Sequence, residues 1–166
     1  MIRDKDLAST GEVSVRLPEA SIQRALYYRE RVELILRGWA TRQHDPAAYP
    51  ESPTSWFKRN AYRLLKAFVD AKQEHLLIRL ANQSPRRLAG LKIIADNPFK
   101  VGLFAMCDDD SLSRRQQQVL GNQMLYAYRH GVAPEHLVGF ISVAGNAEAI
   151  VAKLKAGARE PGFPPL

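Results

Sequence analysis

A pair of adjacent arginines, Arg86 and Arg87, follows the dipeptide Ser84-Pro85. Serine before proline is typical of a helix start, because the hydroxyl caps free amides and proline tolerates the first helical position. The helix dipole disfavours cations in that first turn by about 0.3 to 1 kcal/mol each, so folding alone does not select two arginines there. Free amides and two guanidinium groups together can bind a phosphate. The sequence therefore predicts an anion contact at Arg86 and Arg87.

A second pair, Arg114 and Arg115, lies in the first turn of another predicted helix, after Ser111 and Ser113. The same argument predicts phosphate contacts for these two guanidinium groups. A structural alternative exists here, because the acidic run at residues 108–110 precedes the pair and can form local ion pairs with it. That run also supplies caps and negative charge, which a helix start favours.

The spacing around Gly131 resembles that of a helix-turn-helix, in which a small residue lets two helices approach and a glycine makes the turn. Ala127 precedes Gly131 by four residues, and the apolar Leu137 and Phe140 follow it. A reading helix that begins at Ala133 would expose no strong reader of bases or phosphates. A helical hairpin with a glycine turn produces the same spacing, so both interpretations stay open.

A shifted assignment places a tri-helical DNA-binding subdomain within residues 108–158. Its three helices would span residues 112–129, 134–143 and 146–158. The last of them would offer Asn146, Lys153, Lys155 and Arg159 to DNA. Asparagine can pair with adenine, and lysine can contact phosphate or guanine. Asn146, Lys153 and Lys155 therefore join the two arginine pairs as candidate nucleic-acid contacts.

Patterns typical of catalysis and metal binding do not occur in the sequence. The four histidines show no ligand spacing with acidic partners, and there is no HExxH motif, GxSxG motif or phosphate-binding glycine loop. Cys107 is the only cysteine, so neither an intramolecular disulfide nor a cysteine-based zinc site can form. We therefore expect no enzymatic activity, no cofactor and no metal.

The charge balance favours an anionic partner. The chain has 24 Lys and Arg against 17 Asp and Glu, a net charge of +7, and its pI is about 9.8. Arginines outnumber lysines 16 to 8, and guanidinium groups pair bidentately with phosphate oxygens. The N-terminus lacks the apolar core of a secretory signal, and no apolar run approaches the roughly 18 residues of a membrane span. We therefore expect a cytoplasmic protein without a membrane partner.

Apolar residues at helical spacing predict an all-α fold, a single-domain bundle of about five to seven helices. Residues 1–17 are expected to form a flexible arm and residues 159–166 a frayed tail. The helical domain would lie between them, at residues 18–158.

The hydrophobic period predicts two long helices, at residues 18–40 and 53–82, with a polar loop between them. A short third helix should follow Ser84-Pro85. The apolar segment from Phe99 to Met106 fits either a helix or a buried extended strip.

These features predict a small, basic, nucleic-acid-binding regulator of the kind that phages and plasmids carry, acting through its helix-turn-helix-like C-terminal segment. The two long N-terminal helices would pack together or form a homodimer. The alternative is a helical adaptor, inhibitor or effector whose basic face meets an acidic protein partner. Such an interaction module needs no helix that reads a groove.

Overall fold

The computed structural model describes residues 12–13, 15–84 and 96–163. These residues form seven α-helices and no strand, which confirms the all-α prediction for the described part of the chain. The helices are α1 (Ser21–His44), α2 (Pro53–Asp70), α3 (Glu74–Asn82), α4 (Pro98–Met106), α5 (Arg114–Arg129), α6 (Leu137–Ala144) and α7 (Ala147–Ala156). One short 3-10 helix, Pro46–Ala48, follows α1, and another, Pro134–His136, precedes α6.

The chain divides into two compact units, Met1–Lys72 and Gln73–Leu166. The first contains α1 and α2, and the second contains the other five helices. The boundary lies inside the stretch for which the sequence predicts one continuous helix.

The prediction of a single helix at residues 53–82 is wrong, because α2 ends at Asp70 and α3 begins at Glu74. Between them Lys72 has a left-handed φ of 59°, and its N–H donates to the carbonyl of Val69 at 3.0 Å. A left-handed residue stops helix propagation. No glycine or proline marks the turn, so the hydrophobic period runs through it without a visible break.

In the first unit α1 and α2 pack antiparallel. Trp39, near the end of α1, stacks on Phe57, near the start of α2, with ring centroids 4.0 Å apart. Tyr28, earlier in α1, meets Phe68 at the far end of α2 edge to face at 5.5 Å. All four rings are buried, so aromatic packing fixes the helix pair along most of its length.

The described end of the predicted flexible arm is docked, which corrects that expectation for this part of the arm. Val13 is 1 % exposed, and its N–H donates to the side-chain oxygen of Asn60 at 2.9 Å. The carboxylate of Glu12 pairs with Arg59 at 2.5 Å and with Arg63 at 3.0 Å. Residues 1–11 lie outside the described residues.

The polar loop after α1 is shorter than predicted, since α1 continues to His44. The loop is attached to the helix pair by Arg42, whose guanidinium lies over the rings of Tyr49 at 4.4 Å and Trp56 at 4.0 Å. Burial lowers the pKa of Arg42 from its ordinary value. The predicted start of α2 is confirmed, because the hydroxyl of Ser52 accepts the N–H of Ser55 at 3.2 Å.

In the second unit α4 packs between α3 and α5. The apolar segment from Phe99 to Met106, for which the sequence left open a helix or a buried extended strip, is helical. Asn97 caps this helix by accepting the N–H groups of Phe99 and Lys100. Gly121 of α5 lies directly against Lys100 of α4, so the two helix backbones approach closely. The third helix predicted after Ser84-Pro85 falls in residues 85–95, which lie outside the described residues.

Within the described ranges no single helix has the length and apolar character to cross a membrane. Pro134–Ala144 and Ala147–Ala156 reach that length and composition only when counted together, and they are bent by 99°.

Candidate functional site

The helices α5, α6 and α7 lie where the shifted tri-helical assignment places them. The chain from Pro134 to Ala144 meets α7 at 99°, and Gly145 and Asn146 form the connection. Gly145 has a φ of 118°, a conformation that favours glycine. Both α6 and α7 contact α5. The arrangement is a three-helix unit with a sharp turn before its last helix.

Left-handed glycines end both α5 and α7. Gly131 has a φ of 66° and Gly157 one of 63°, so the glycine turn predicted at Gly131 is confirmed. After α5 the N–H of Val132 donates to Ala127 at 3.1 Å and that of Gly131 to Tyr128 at 2.9 Å. This hydrogen-bond pair is the Schellman motif, which satisfies the last carbonyls of a helix and turns the chain away from its axis.

A small apolar core joins the three helices. Tyr126 of α5, Ala144 of α6 and Ile150 of α7 are each 1 % exposed, and Phe140 and Leu154 pack against them. This core fixes the angle between α6 and α7, because buried side chains are packed closely and do not slide.

The C-terminal ends of α5 and α7 enclose a cavity of about 260 Å³. Its lining residues are Tyr126, Arg129, Lys153, Leu154, Gly157, Ala158 and Arg159. The walls are mainly carbon, while three cationic side chains border the space. Arg159 donates to the backbone carbonyl of Arg129 at 2.5 Å, which attaches the Arg159 side chain to the end of α5. We call this space the cationic cavity.

A hydrogen-bonded group of side chains lies beside the cationic cavity. The carboxylate of Glu160 accepts from the hydroxyl of Tyr126 at 2.7 Å and from the ammonium of Lys153 at 2.6 Å. The Lys153 hydrogen bond, followed by that from Tyr126, lowers the pKa of Glu160. Burial, together with the hydrogen bond and charge of Glu160, raises the pKa of Tyr126 to about 12. The group therefore consists of an ionised carboxylate, an ammonium and a neutral phenol.

These contacts correct the expected frayed tail for its described part, residues 159–163. Glu160 is bonded through its side chain, and its backbone N–H donates to His130 at 2.9 Å. The ring of Phe163 packs against His130 and Phe140, with centroids 5.1 and 5.6 Å away. Residues 164–166 lie outside the described residues.

The structure places Arg114 and Arg115 in the exposed first turn of α5. The helix is capped by Ser113 in a reciprocal pair with Gln116, whereas the prediction gave part of this role to the acidic run. Arg114 lies 3.9 Å from the carboxylate of Asp109, which is the local ion pair considered as a structural alternative. An exposed pair at that distance adds little stability.

The remaining predicted residues fall into different places. Asn146 uses its side-chain oxygen to cap α7, accepting the N–H of Ala149 at 2.8 Å. Lys153 donates to the carbonyl of Ala144 at 2.6 Å as well as to Glu160, so its ammonium is used inside the unit. Lys155 is exposed. Arg86 and Arg87 lie outside the described residues.

The structure does not gather the described predicted residues, Arg114, Arg115, Asn146, Lys153 and Lys155, into one patch. Arg114 and Arg129, which lines the cationic cavity, stand at opposite ends of the 16-residue α5, roughly 22 Å apart along the axis at 1.5 Å per residue. The cationic cavity instead unites Lys153 with Arg129 and Arg159. Arg129 was missed because a single cation in the last turn of a helix is explained by the helix dipole and carries no further local signal.

Comparison with models of protein families, with curated proteins and with solved structures finds no match. Within the described ranges no group of three or more His, Cys, Asp or Glu side chains could hold a metal ion. Cys107 is buried and forms no disulfide. The three-helix unit and its cationic cavity are therefore the features from which a function can be argued.

Proposed function

We propose that the protein binds nucleic acid through α5, α6 and α7. The main support for this proposal is the 99° angle at the Gly145-Asn146 turn, with both α6 and α7 packed on α5. Helix-turn-helix units join their two helices at about 90 to 120° through a short turn, so that the second helix can enter a major groove. In this proposal α7 is the helix that faces the groove.

The exposed residues of α7 and its cap support a modest capacity to read bases. Asn146, Glu148 and Lys155 are exposed along this stretch. Because only the oxygen of the Asn146 amide serves the cap, its NH2 group is available to donate to a base edge. Glu148 can accept from the amino group of cytosine, and Lys155 can contact phosphate. Lys153 is left out of this role because its ammonium already has two partners.

Phosphate contacts are assigned to the rim of the cationic cavity. Arg129 is exposed, and the guanidinium of Arg159 donates to the backbone carbonyl of Arg129. Arg129 and Arg159 both line the cavity, and guanidinium groups can pair with phosphate oxygens. A regulatory role and a cytoplasmic location belong to this proposal. A homodimer through the long N-terminal helices stays a prediction, and Ile22 and Leu26 are the exposed apolar residues that α1 offers to it.

The test is a titration of labelled duplex DNA, single-stranded DNA and RNA with the full chain at about 50 and 200 mM salt, followed by fluorescence anisotropy. Phosphate contacts release counterions, so the affinity should fall steeply between the two salt concentrations. Absence of binding to all three probes at the lower salt would reject the proposal.

A second candidate is an interaction with an acidic protein segment, and the carbon walls of the cationic cavity favour it. A space bordered by arginines and lined by Tyr126 and Leu154 suits an apolar side chain next to a carboxylate. An array of Glu- and Asp-rich peptides, each with one Leu or Phe, provides the probe. Binding that requires both the apolar residue and Arg129, with no binding to nucleic acid, would select this candidate.

A further inference from the structure

His130 is buried at the end of α5, and each of its ring nitrogens faces a backbone group. Nδ1 lies 2.7 Å from the carbonyl oxygen of Tyr126, and Nε2 lies 2.9 Å from the backbone nitrogen of Glu160. A backbone N–H can only donate, so Nε2 must present its lone pair. Nδ1 then carries the proton that is donated to Tyr126. The surroundings of His130 therefore fit the neutral imidazole in a single tautomer.

A second proton on this imidazole would remove one of the two bonds. Protonated Nε2 is a donor, and it would face the N–H of Glu160 with no acceptor between them. His130 is 6 % exposed, so a bridging water has little access to the ring. The partly buried N–H of Glu160 would then lose its hydrogen-bond partner, which disfavours the present position of the backbone.

The bond between His130 and Glu160 belongs to a set of contacts that anchor residues 159–163. Phe163 meets the imidazole edge to face, with planes at 86°, and it also packs on Phe140. His130 thus contacts both the backbone and the last described ring of this segment. A change in its charge acts on both contacts at once.

The charged and titratable groups around His130 come from three elements. Tyr126 and Arg129 belong to α5, Lys153 belongs to α7, and Arg159 and Glu160 belong to the segment itself. The packed residue from α6, Phe140, is uncharged. The Glu160 carboxylate attracts an imidazolium, but it already accepts hydrogen bonds from Lys153 and Tyr126.

We propose that His130 is a pH-sensitive anchor of residues 159–163. The neutral imidazole holds the segment through its hydrogen bond to the Glu160 N–H, and the imidazolium, which has no lone pair on Nε2, releases it. Ala158 and Arg159 line the cationic cavity, so release would also open one of its walls. An effect of this opening on nucleic-acid binding rests on the proposed function, whereas release itself does not.

The test is an NMR titration of the full ¹⁵N-labelled chain from pH 8 to pH 5, without nucleic acid. At pH 8 the His130 nitrogens should report the tautomer with its proton on Nδ1. As the ring takes up a second proton, the hydrogen-exchange protection factor of the Glu160 amide should fall roughly tenfold, the size expected for one lost hydrogen bond. The Phe163 ring signals should shift with the same midpoint.

Two variants give the controls. His130→Gln keeps a side-chain acceptor for the Glu160 N–H but cannot ionise in this range, so the pH response of Glu160 and Phe163 should vanish. His136→Gln, which removes an exposed histidine of the same unit, should retain it. The wild-type titration tests the proposal even if one of the variants does not fold. The proposal is overturned if His130 protonates while Glu160 and Phe163 stay unchanged, or if it stays neutral to pH 5.

Discussion

Gly38 of α1 lies against the indole of Trp56 of α2 so closely that a methyl group on Gly38 would overlap the ring. The contact sets how near the two helices approach. We expect Gly38→Ala to lower the free energy of unfolding by about 1 to 3 kcal/mol, because an added methyl group in a packed interface forces neighbouring atoms apart. Urea unfolding followed by circular dichroism measures the change.

Gly139→Ala is the matched control, since Gly139 is also helical but has no atom within 4 Å of an added Cβ. There the substitution should raise helix stability by up to about 1 kcal/mol. Equal effects at both glycines would mean that backbone propensity, not the contact with Trp56, determines the result.

Arg42 should stabilise the first unit through its position between two aromatic rings. We expect Arg42→Ala to destabilise the protein by about 2 kcal/mol, the value for a desolvated cation–aromatic contact. Arg42→Lys should recover little of the stability that Arg42→Ala loses, because an ammonium lacks the flat face that stacks on Tyr49 and Trp56. Thermal unfolding compares these variants with Arg37→Ala, which removes an exposed ion pair to Glu33. A loss as large for Arg37→Ala would contradict the importance of the stack.

The second unit should lose stability at both ends of the pH scale. Tyr126 should cause the loss at alkaline pH, and Glu160 should cause the loss at acid pH. The pKa of Tyr126 is raised from 10.0 to about 12 in the folded chain, so its contribution is present below pH 10.0 and is lost as the pH rises toward 12. The pKa of Glu160 is lowered from 4.5, so its contribution is present above pH 4.5 and is lost as the pH falls further.

Denaturant midpoints across the pH range test these signs. Tyr126→Phe should flatten the alkaline decline, and Glu160→Gln should flatten the acid decline. If each variant keeps the wild-type profile, other groups carry the pH dependence. Tyr126→Phe should also cost about 1 kcal/mol at neutral pH for the lost hydrogen bond to Glu160.

Local signals in the sequence were sufficient for much of the fold. Ser52 before Pro53 marks the start of α2, and Gly131 marks the end of α5, because caps depend on a few neighbouring residues. Lys72 shows the limit of this approach. Lysine rarely adopts a left-handed backbone conformation, so the residue type gives no sign of this turn. Only the tertiary structure shows it.

The candidate site was less predictable, since its contacts join distant parts of the chain. Arg159 meets Arg129, and Glu160 meets His130, across 30 residues in each case. No local pattern encodes such a pairing. Lys153 shows another limit of the sequence: its type and position predict a DNA contact, but they give no sign that its ammonium donates to Ala144 and Glu160.

The most direct measurement of nucleic-acid binding at the cationic cavity compares Arg129→Gln with Arg79→Gln. Each arginine is exposed in the last turn of a helix of the second unit, so both variants lose one charge in the same helical context. We expect Arg129→Gln to weaken binding to all sequences and to reduce the slope of log affinity against log salt by about 1, while Arg79→Gln leaves both unchanged. Identical behaviour of the two variants, or no binding by the wild-type chain at about 50 mM salt, would contradict the assignment.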